Sequence, residues 1–438
     1  MTTSGAQLSD AEFESLMAAL GPFESAPWIA VGLSGGSDSL ALACLLRAWV
    51  TPRAGRVTAL IVDHGLRPES QREARAVGRQ AKELGLEPVV LSWRGAKPAT
   101  NVQAEARAAR YDLMRDWCAR KGVLHLALGH QQDDQAETLL LNLSRGSGLD
   151  GLSAMAPLVE TPALRLLRPL LSVPRARLRA RLAADSLDWI EDPSNRDPRF
   201  GRVRLRAALD DLAGAGLAEQ RLADAAGNLG RARAAIEVAV ARLLARAADL
   251  RDDGSLRLDV ESLAAAPEEV SLRALARVLT TVGGSDYPPR FERLEALHRR
   301  LLDQGFSGAT LGGCRLGPGR EARILVTREA AKAAKIALKP GTKGRWDGRF
   351  RYRLGRSGKA GRSLEVAPLG AAGWRALGLE EAKPAASIRA ALPAFRDSAG
   401  LMAVPQLGFY RDSEAKTLIK KCVFAPRRPL TSAEFTVA

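Results

Sequence analysis

The chain has 438 residues, enough for two or three domains that each bury a core. Its 46 % hydrophobic content fits a soluble globular protein, no run of about 18 apolar residues suggests a membrane-spanning helix, and no signal peptide is expected at the N-terminus. Cys44, Cys118, Cys314 and Cys422 form no CxxC pair, which argues against a zinc ribbon or disulfide scaffold and for the cytoplasm. Lys and Arg number 65 against 49 acidic residues, a net charge of +16 with arginine in excess, so a polyanion, above all a nucleic acid, is the expected partner.

Leu8–Leu20 reads as a short amphipathic helix. The apolar run Pro27–Leu33 then ends abruptly in Ser34-Gly35-Gly36-Ser37-Asp38-Ser39, and an apolar helical pattern continues to Val50. That order predicts a buried strand, a tight glycine turn and a helix N-terminus. Backbone N–H groups and the helix dipole converge there on an anion, most simply phosphate. Gly35 and Gly36 permit close approach, and Ser37 and Ser39 supply hydroxyls. Asp38 beside a phosphate needs a divalent cation between them, so Mg²⁺ is expected on Asp38.

Strand patterns follow at Val57–Val62, Pro88–Trp93 and Val123–Leu128, separated by helices Gln71–Leu84 and Gln103–Lys121. This alternation predicts a Rossmann-like, doubly wound parallel sheet, an α/β fold. Ligands of such sheets lie beyond the carboxyl ends of the strands. Ser34–Ser39, Asp63-His64 and Gly129-His130 all fall at such ends. After His130, the run Gln131–Thr138 places Asp133, Asp134 and Glu137 in the first turns of a helix. There carboxylates suit the dipole and can hold a metal or an ammonium group. Arg145–Gly151 reads as a flexible loop over the same edge.

The six-residue loop matches SGGxDS, the signature of the N-type ATP pyrophosphatases, or PP-loop family. It is neither a Walker A loop nor a dinucleotide GxGxxG. With Val62-Asp63-His64-Gly65-Leu66-Arg67-Pro68-Glu69-Ser70, Ala106–Tyr111, Gly129–Thr138, Arg145–Met155 and Glu191–Phe200, the chain resembles the tRNA(Ile)-lysidine synthetases in order and spacing. Thr310–Cys314 and Trp346–Phe350 extend the resemblance across nearly the whole chain. Two positions depart from the family's usual pattern: Gln131, where a second His is common, and Val203, where Asn is common.

The resemblance implies ATP and Mg²⁺ as cofactors, with free L-lysine and a CAU-anticodon tRNA(Ile) as substrates. Cytidine adenylation is followed by displacement of AMP by lysine. It implies phosphate binding by Ser34–Ser39, α-phosphate contact by His130, and lysine recognition by Arg110, Asp134 and Glu137, with Asp133 beside them. Arg202 and Arg206, in the arginine cluster after Phe200, are expected to contact RNA. The rivals are a tRNA thiolase, which needs sulfur-carrying cysteines, and a catalytically dead nucleotide sensor.

Arg175, Arg177, Arg179 and Arg181 alternate along a helix, which scatters them around its surface and suggests a solvated face. Leu222, Leu229, Ile236 and Leu243 recur every seven residues in one long helix over about Gly216–Leu250, a packing seam. A small α+β region follows, in which His298 reads as a surface or edge residue, and Ala330–Gly344 reads as a linker. The expected domains are 1–210 for ATP chemistry, 211–335 for a helical arm with an α+β tRNA domain, and 336–438 for a C-terminal tRNA-binding domain. In the last of these, Trp346, Phe350 and Tyr352 are candidates to meet an RNA stem. A homodimer is compatible with the sequence and not specified by it.

Overall fold

A computed structural model describes residues 6–431 except 96, 98–101, 162–163, 192–204, 206–208, 210, 304, 320, 322, 357–362 and 379–383. The chain divides into two compact units, Met1–Ala234 with Ala433–Ala438, and Ala235–Ser432.

The first unit is built on β1 (Trp28–Gly32), β2 (Arg56–Asp63), β3 (Glu87–Ser92), β4 (His125–Leu128), β5 (Leu158–Thr161) and β6 (Leu164–Leu167), ordered β3-β2-β1-β4-β6-β5. All neighbours run parallel except β5 and β6, which form an antiparallel edge hairpin that the sequence pattern does not announce. Around the sheet lie α1 (Asp10–Ala18), α2 (Ser37–Val50), α3 (Ser70–Glu83), α4 (Val102–Lys121), α5 (Gln132–Leu143), α6 (Leu149–Leu152) and α7 (Arg175–Ala184). The strands are continuous apolar runs because helices cover both faces. One core joins Ile29 and Val31 to Leu42, Leu45 and Leu46 of α2 and Leu178 and Leu182 of α7. The other joins Ala30 and Leu60 to Met114, Trp117 and Cys118 of α4. Strand order reverses at β1, flanked by β2 and β4, so the crevice for a ligand opens at the ends of β1 and β4.

The helix Glu219–Ala247 carries the heptad seam. Leu222 and Leu229 pack with Ala136, Leu139 and Leu209, whereas Ile236 and Leu243 belong to the core of the second unit. That unit contains a five-stranded antiparallel sheet under helices Glu268–Gly283 and Phe291–Leu302, then a five-stranded and a three-stranded sheet.

Four sequence expectations are corrected here. Trp346, Phe350 and Tyr352 are buried in the last core and cannot stack on RNA. The 330–344 stretch is structured, with strands Ile336–Leu338 and Lys343–Trp346. His298 is buried and bonded to the Ser271 hydroxyl at 2.7 Å. The 145–151 loop leads into α6 and is pinned to α5, where Asn142 Nδ2 donates to the Gly151 carbonyl and the Gln135 amide bonds the Met155 backbone in both directions.

Candidate active site

The turn after β1 is shaped by two close approaches. Gly35 sits at φ +85°, and a Cβ there would lie 2.7 Å from the Val77 side chain. A Cβ on Gly129 would lie 2.9 Å from the Asp38 carbonyl carbon, so β4 can end against the first turn of α2 only with glycine at that position. Gly36 is the N-cap of α2, and no side chain caps this helix end, which leaves its leading N–H groups to an anion. The Ser39 hydroxyl braces the turn, donating to the Gly36 carbonyl at 3.0 Å and accepting from the Ser34 amide at 3.1 Å. Ser34 Oγ lies 3.1 Å from the same hydroxyl, and Ser37 Oγ donates to Asp38 Oδ1 at 3.0 Å. The Gly35 carbonyl accepts from the Ile190 amide at 2.9 Å, which closes the turn from outside.

The end of β4 supplies the acids. Asp134 and Glu137 are buried on α5, Glu137 completely, and Asp133 is partly exposed. Burial raises the Asp38 carboxyl above its ordinary pKa; Arg175 beside it opposes that shift, and Asp134 and Asp133 add to it. Arg175 Nε lies 3.3 Å from Asp38 Oδ2 and 3.7 Å from Asp133 Oδ2. Burial alone would depress this guanidinium, but the summed field of Asp38, Asp133, Asp134 and Glu137 outweighs it and raises its pKa. The arginines of α7 are therefore not a solvated face. Arg177 holds Glu12, Arg181 holds Asp10 and Asp185, Arg179 reaches Glu191, and Arg175 points into the crevice.

Arg175 is the site residue that sequence reasoning missed. Its signal lay in the apolar Leu170, Leu171 and Val173 just before it, which anchor the turn: Gln132 N donates to the Val173 carbonyl at 3.1 Å and Gln132 Nε2 to the Ser172 carbonyl at 3.3 Å.

The cationic side of the crevice comes from α4. Arg107 Nη2 lies 3.3 Å from His130 Nε2, and Arg107 and Arg110, three residues apart, share a helix face. Burial lowers the Arg110 pKa, with Arg107 adding to the effect. Burial also lowers the His64 pKa, with Arg110 next, so His64 is held neutral. Asp63 opposes that shift on His64, and it accepts from Ser70 Oγ at 2.7 Å and the Gly65 amide at 3.0 Å, which holds its own loop. The structure thus gathers Asp38, Asp133, Asp134 and Glu137 around Arg175, and Arg110 with His64 and Arg107. Arg202 and Arg206 lie outside the described residues.

Clustered oxygen donors, already drawing one side-chain cation between them, suit a hard divalent ion. Among the described residues no group of three His, Cys, Asp or Glu side chains is arranged to hold a metal ion by itself. No described cysteine joins the site: Cys118 and Cys314 are buried, and burial pushes both thiols up to about 12. No helix among the described residues is long and apolar enough to cross a membrane.

Residues 8–212 match the PP-loop domain family, which makes ATP the nucleotide this domain uses. The chain is 40 % identical to a tRNA(Ile)-lysidine synthase of Ruegeria pomeroyi over 391 residues, covering 87 % of this chain and 88 % of that one. It is 45 % identical to the protein of that name from Bradyrhizobium diazoefficiens over 68 % of this chain and 84 % of that one. With the Wolbachia pipientis protein of that name it shares 35 % identity over 78 % of this chain and 80 % of that one. At this identity and coverage, with the PP-loop turn, the acidic α5 and the crevice between β1 and β4 in place, the chain belongs to the tRNA(Ile)-lysidine synthase family.

Proposed function

We propose that the chain joins the ε-amine of free lysine to C2 of the wobble cytidine of a CAU-anticodon tRNA(Ile), splitting ATP to AMP and diphosphate through an adenylated cytidine. The observation that carries this reading is the uncapped N-terminus of α2, with Asp38 in its first turn, beside Asp133, Asp134 and Glu137 of α5 around Arg175: an anion site and a cation site in contact. An amine cannot expel oxygen from a pyrimidine at a useful rate, and transfer of AMP to that oxygen makes it a leaving group.

The turn Ser34–Ser39 cradles the phosphates that depart in the first step, its N–H groups aimed where charge develops. Asp38, with Asp133 beside it, would hold Mg²⁺, which when bound neutralises charge on the departing diphosphate. His130, held by Arg107, is placed for the α-phosphate. Asp134 and Glu137 fit the lysine ammonium and can accept its proton, while Arg110 pairs with its carboxylate. The acidic and cationic halves of the crevice correspond to the two ends of that zwitterion. Residues 1–210 carry this chemistry, and 211–335 and 336–438 hold the tRNA through their basic surface. The cytoplasm supplies all three substrates together.

The test is incubation with ATP, lysine and tRNA(Ile), with mass spectrometry of the wobble base. Lysidine with stoichiometric AMP, dependent on both tRNA and lysine, is the expected result. Intact ATP, or ADP as product, overturns the reading.

A further inference from the structure

Arg175 occupies an unusual place for a guanidinium. It is the first residue of α7, directly after Pro174, and is fixed from both sides: α7 packs Leu178 and Leu182 into the core with α2, and the turn before it is bonded to Gln132 at the start of α5. Its side chain is three-quarters covered and spans Asp38 and Asp133, one carboxylate from each of the two helices that frame the crevice. The nearest approach of Arg175 to Asp38 is Nε to Oδ2 at 3.3 Å, and to Asp133 3.7 Å, both longer than a charge-assisted hydrogen bond. A contact so placed and so loosely made can be exchanged.

Resting on the adenylation reading above, we propose that Arg175 is an exchangeable counter-cation of the ATP site: it competes with Mg²⁺ for Asp38 and Asp133, and when Mg²⁺ takes those carboxylates the released guanidinium binds the polyphosphate of ATP. The physical argument is charge balance. Asp38, Asp133, Asp134 and Glu137 are four carboxylates in a partly dry crevice, and they repel one another and any phosphate unless positive charge lies among them. A tethered guanidinium supplies that charge. Asp38 lies in the first turn of α2, so a guanidinium displaced from it stays beside the uncapped helix start, where phosphate would bind and for which a planar fork is suited. No bond is made or broken by Arg175, so the exchange needs no further reactant.

The test separates this exchange from a structural role and from the reaction itself. Mg²⁺ alone is titrated calorimetrically into the full-length wild-type protein, Arg175→Ala and Arg175→Gln, each first shown folded by circular dichroism, and the KM for ATP is measured by pyrophosphate release. Loss of the competitor is expected to tighten Mg²⁺ binding about tenfold and loss of the phosphate contact to raise the ATP KM about tenfold. The Gln variant, close in size and neutral, carries the test should the Ala variant not fold. A Mg²⁺ affinity that is unchanged or weaker, or an ATP KM that does not move, overturns the proposal. The Mg²⁺ titration needs no turnover, so it reads the exchange even where no lysidine forms.

Discussion

Gln131 and Asp134 cap the start of α5 reciprocally: Gln131 Oε1 accepts from the Asp133 amide at 2.6 Å, and Asp134 Oδ2 accepts from the Gln131 amide at 3.1 Å. Gln131 thus has a structural task at a position where the family commonly carries a histidine, and Asp134 is held by a backbone bond before any substrate arrives. Gln131→Ala removes the side-chain acceptor of the Asp133 amide and is expected to cost about 1 kcal/mol in urea denaturation. A loss within a few tenths of the wild type would show that the cap is dispensable.

Asp38, the proposed Mg²⁺ ligand, is costly for the fold. Burial favours its protonated form, outweighing Arg175. Because the folded-state pKa is raised, the contribution of this group to stability is present at acid pH and lost as pH rises through that pKa. Asp38→Asn removes the charge in place, so at pH 7 the variant should unfold at a higher temperature, by on the order of 1 kcal/mol, while pyrophosphate release is abolished. A lower melting temperature sinks the first half of this expectation, and retained ATP cleavage the second.

Substitution of Glu137 is expected to separate the two proposed steps. Glu137 is fully buried on α5, one turn beyond Asp133 and facing the charge of Arg175. Glu137→Gln keeps its volume and is expected to leave ATP-dependent adenylation within a few-fold of wild type, while lysine transfer falls at least about 100-fold. Single-turnover assays with labelled ATP and with labelled lysine report the steps separately. Normal saturation by lysine would remove Glu137 from the lysine site.

The crevice was legible because its parts are local. A glycine turn between strand and helix, and acids in a first helical turn, leave signatures within ten residues, and parallel topology places them together. Arg175 was not legible, since its role comes from α7 packing on α2, a contact between segments more than a hundred residues apart in sequence. Alternating arginines on a helix look solvent-facing until each partner is known: Glu12 and Asp10 come from α1, and Asp38 from α2. The β5–β6 hairpin escaped for a similar reason, because four-residue strands carry too little period to separate from loop. Trp346, Phe350 and Tyr352 misled in the opposite sense. Alternating aromatics among arginines suit RNA binding as well as a pleated strand, and here the aromatic face turns inward.

The pH dependence of stability should be dominated by buried neutral histidines. His125 is fully buried, with Nε2 2.7 Å from Glu24 Oε2, the Phe23 ring at 5.0 Å and Arg165 nearby. Burial lowers its pKa despite the opposing pull of Glu24; His298 is lowered by burial in the second unit. A histidine depressed in the fold binds more protons when unfolded, so stability is full above the ordinary histidine pKa of about 6.5 and falls as pH drops below it. Chemical denaturation at pH 7 and pH 5.5 should show this loss. His125→Gln, able to keep a bond to Glu24, should flatten the slope; an unchanged slope would assign the effect to other groups.

Trp346–Phe350, one of the segments that resembles the family, encloses a charge cluster that is largely buried. Asp347, at φ +52°, accepts from Arg328 Nη2 on Oδ1 at 2.8 Å, and from Arg328 Nε at 2.9 Å and Arg349 Nε at 2.8 Å on Oδ2. Arg349 also donates to the Ala391 carbonyl, and burial pulls its pKa down to about 10 although Asp347 opposes the shift. One carboxylate thus serves two guanidiniums that are all but sealed from water. Asp347→Ala would strand both, a loss of about 3–5 kcal/mol. The double variant Asp347→Ala/Arg349→Met removes one stranded cation and should recover part of that loss in guanidinium denaturation followed by circular dichroism. Recovery is the discriminating result: a cluster kept for RNA contact would show no stability coupling between the two positions, whereas a buried pair must.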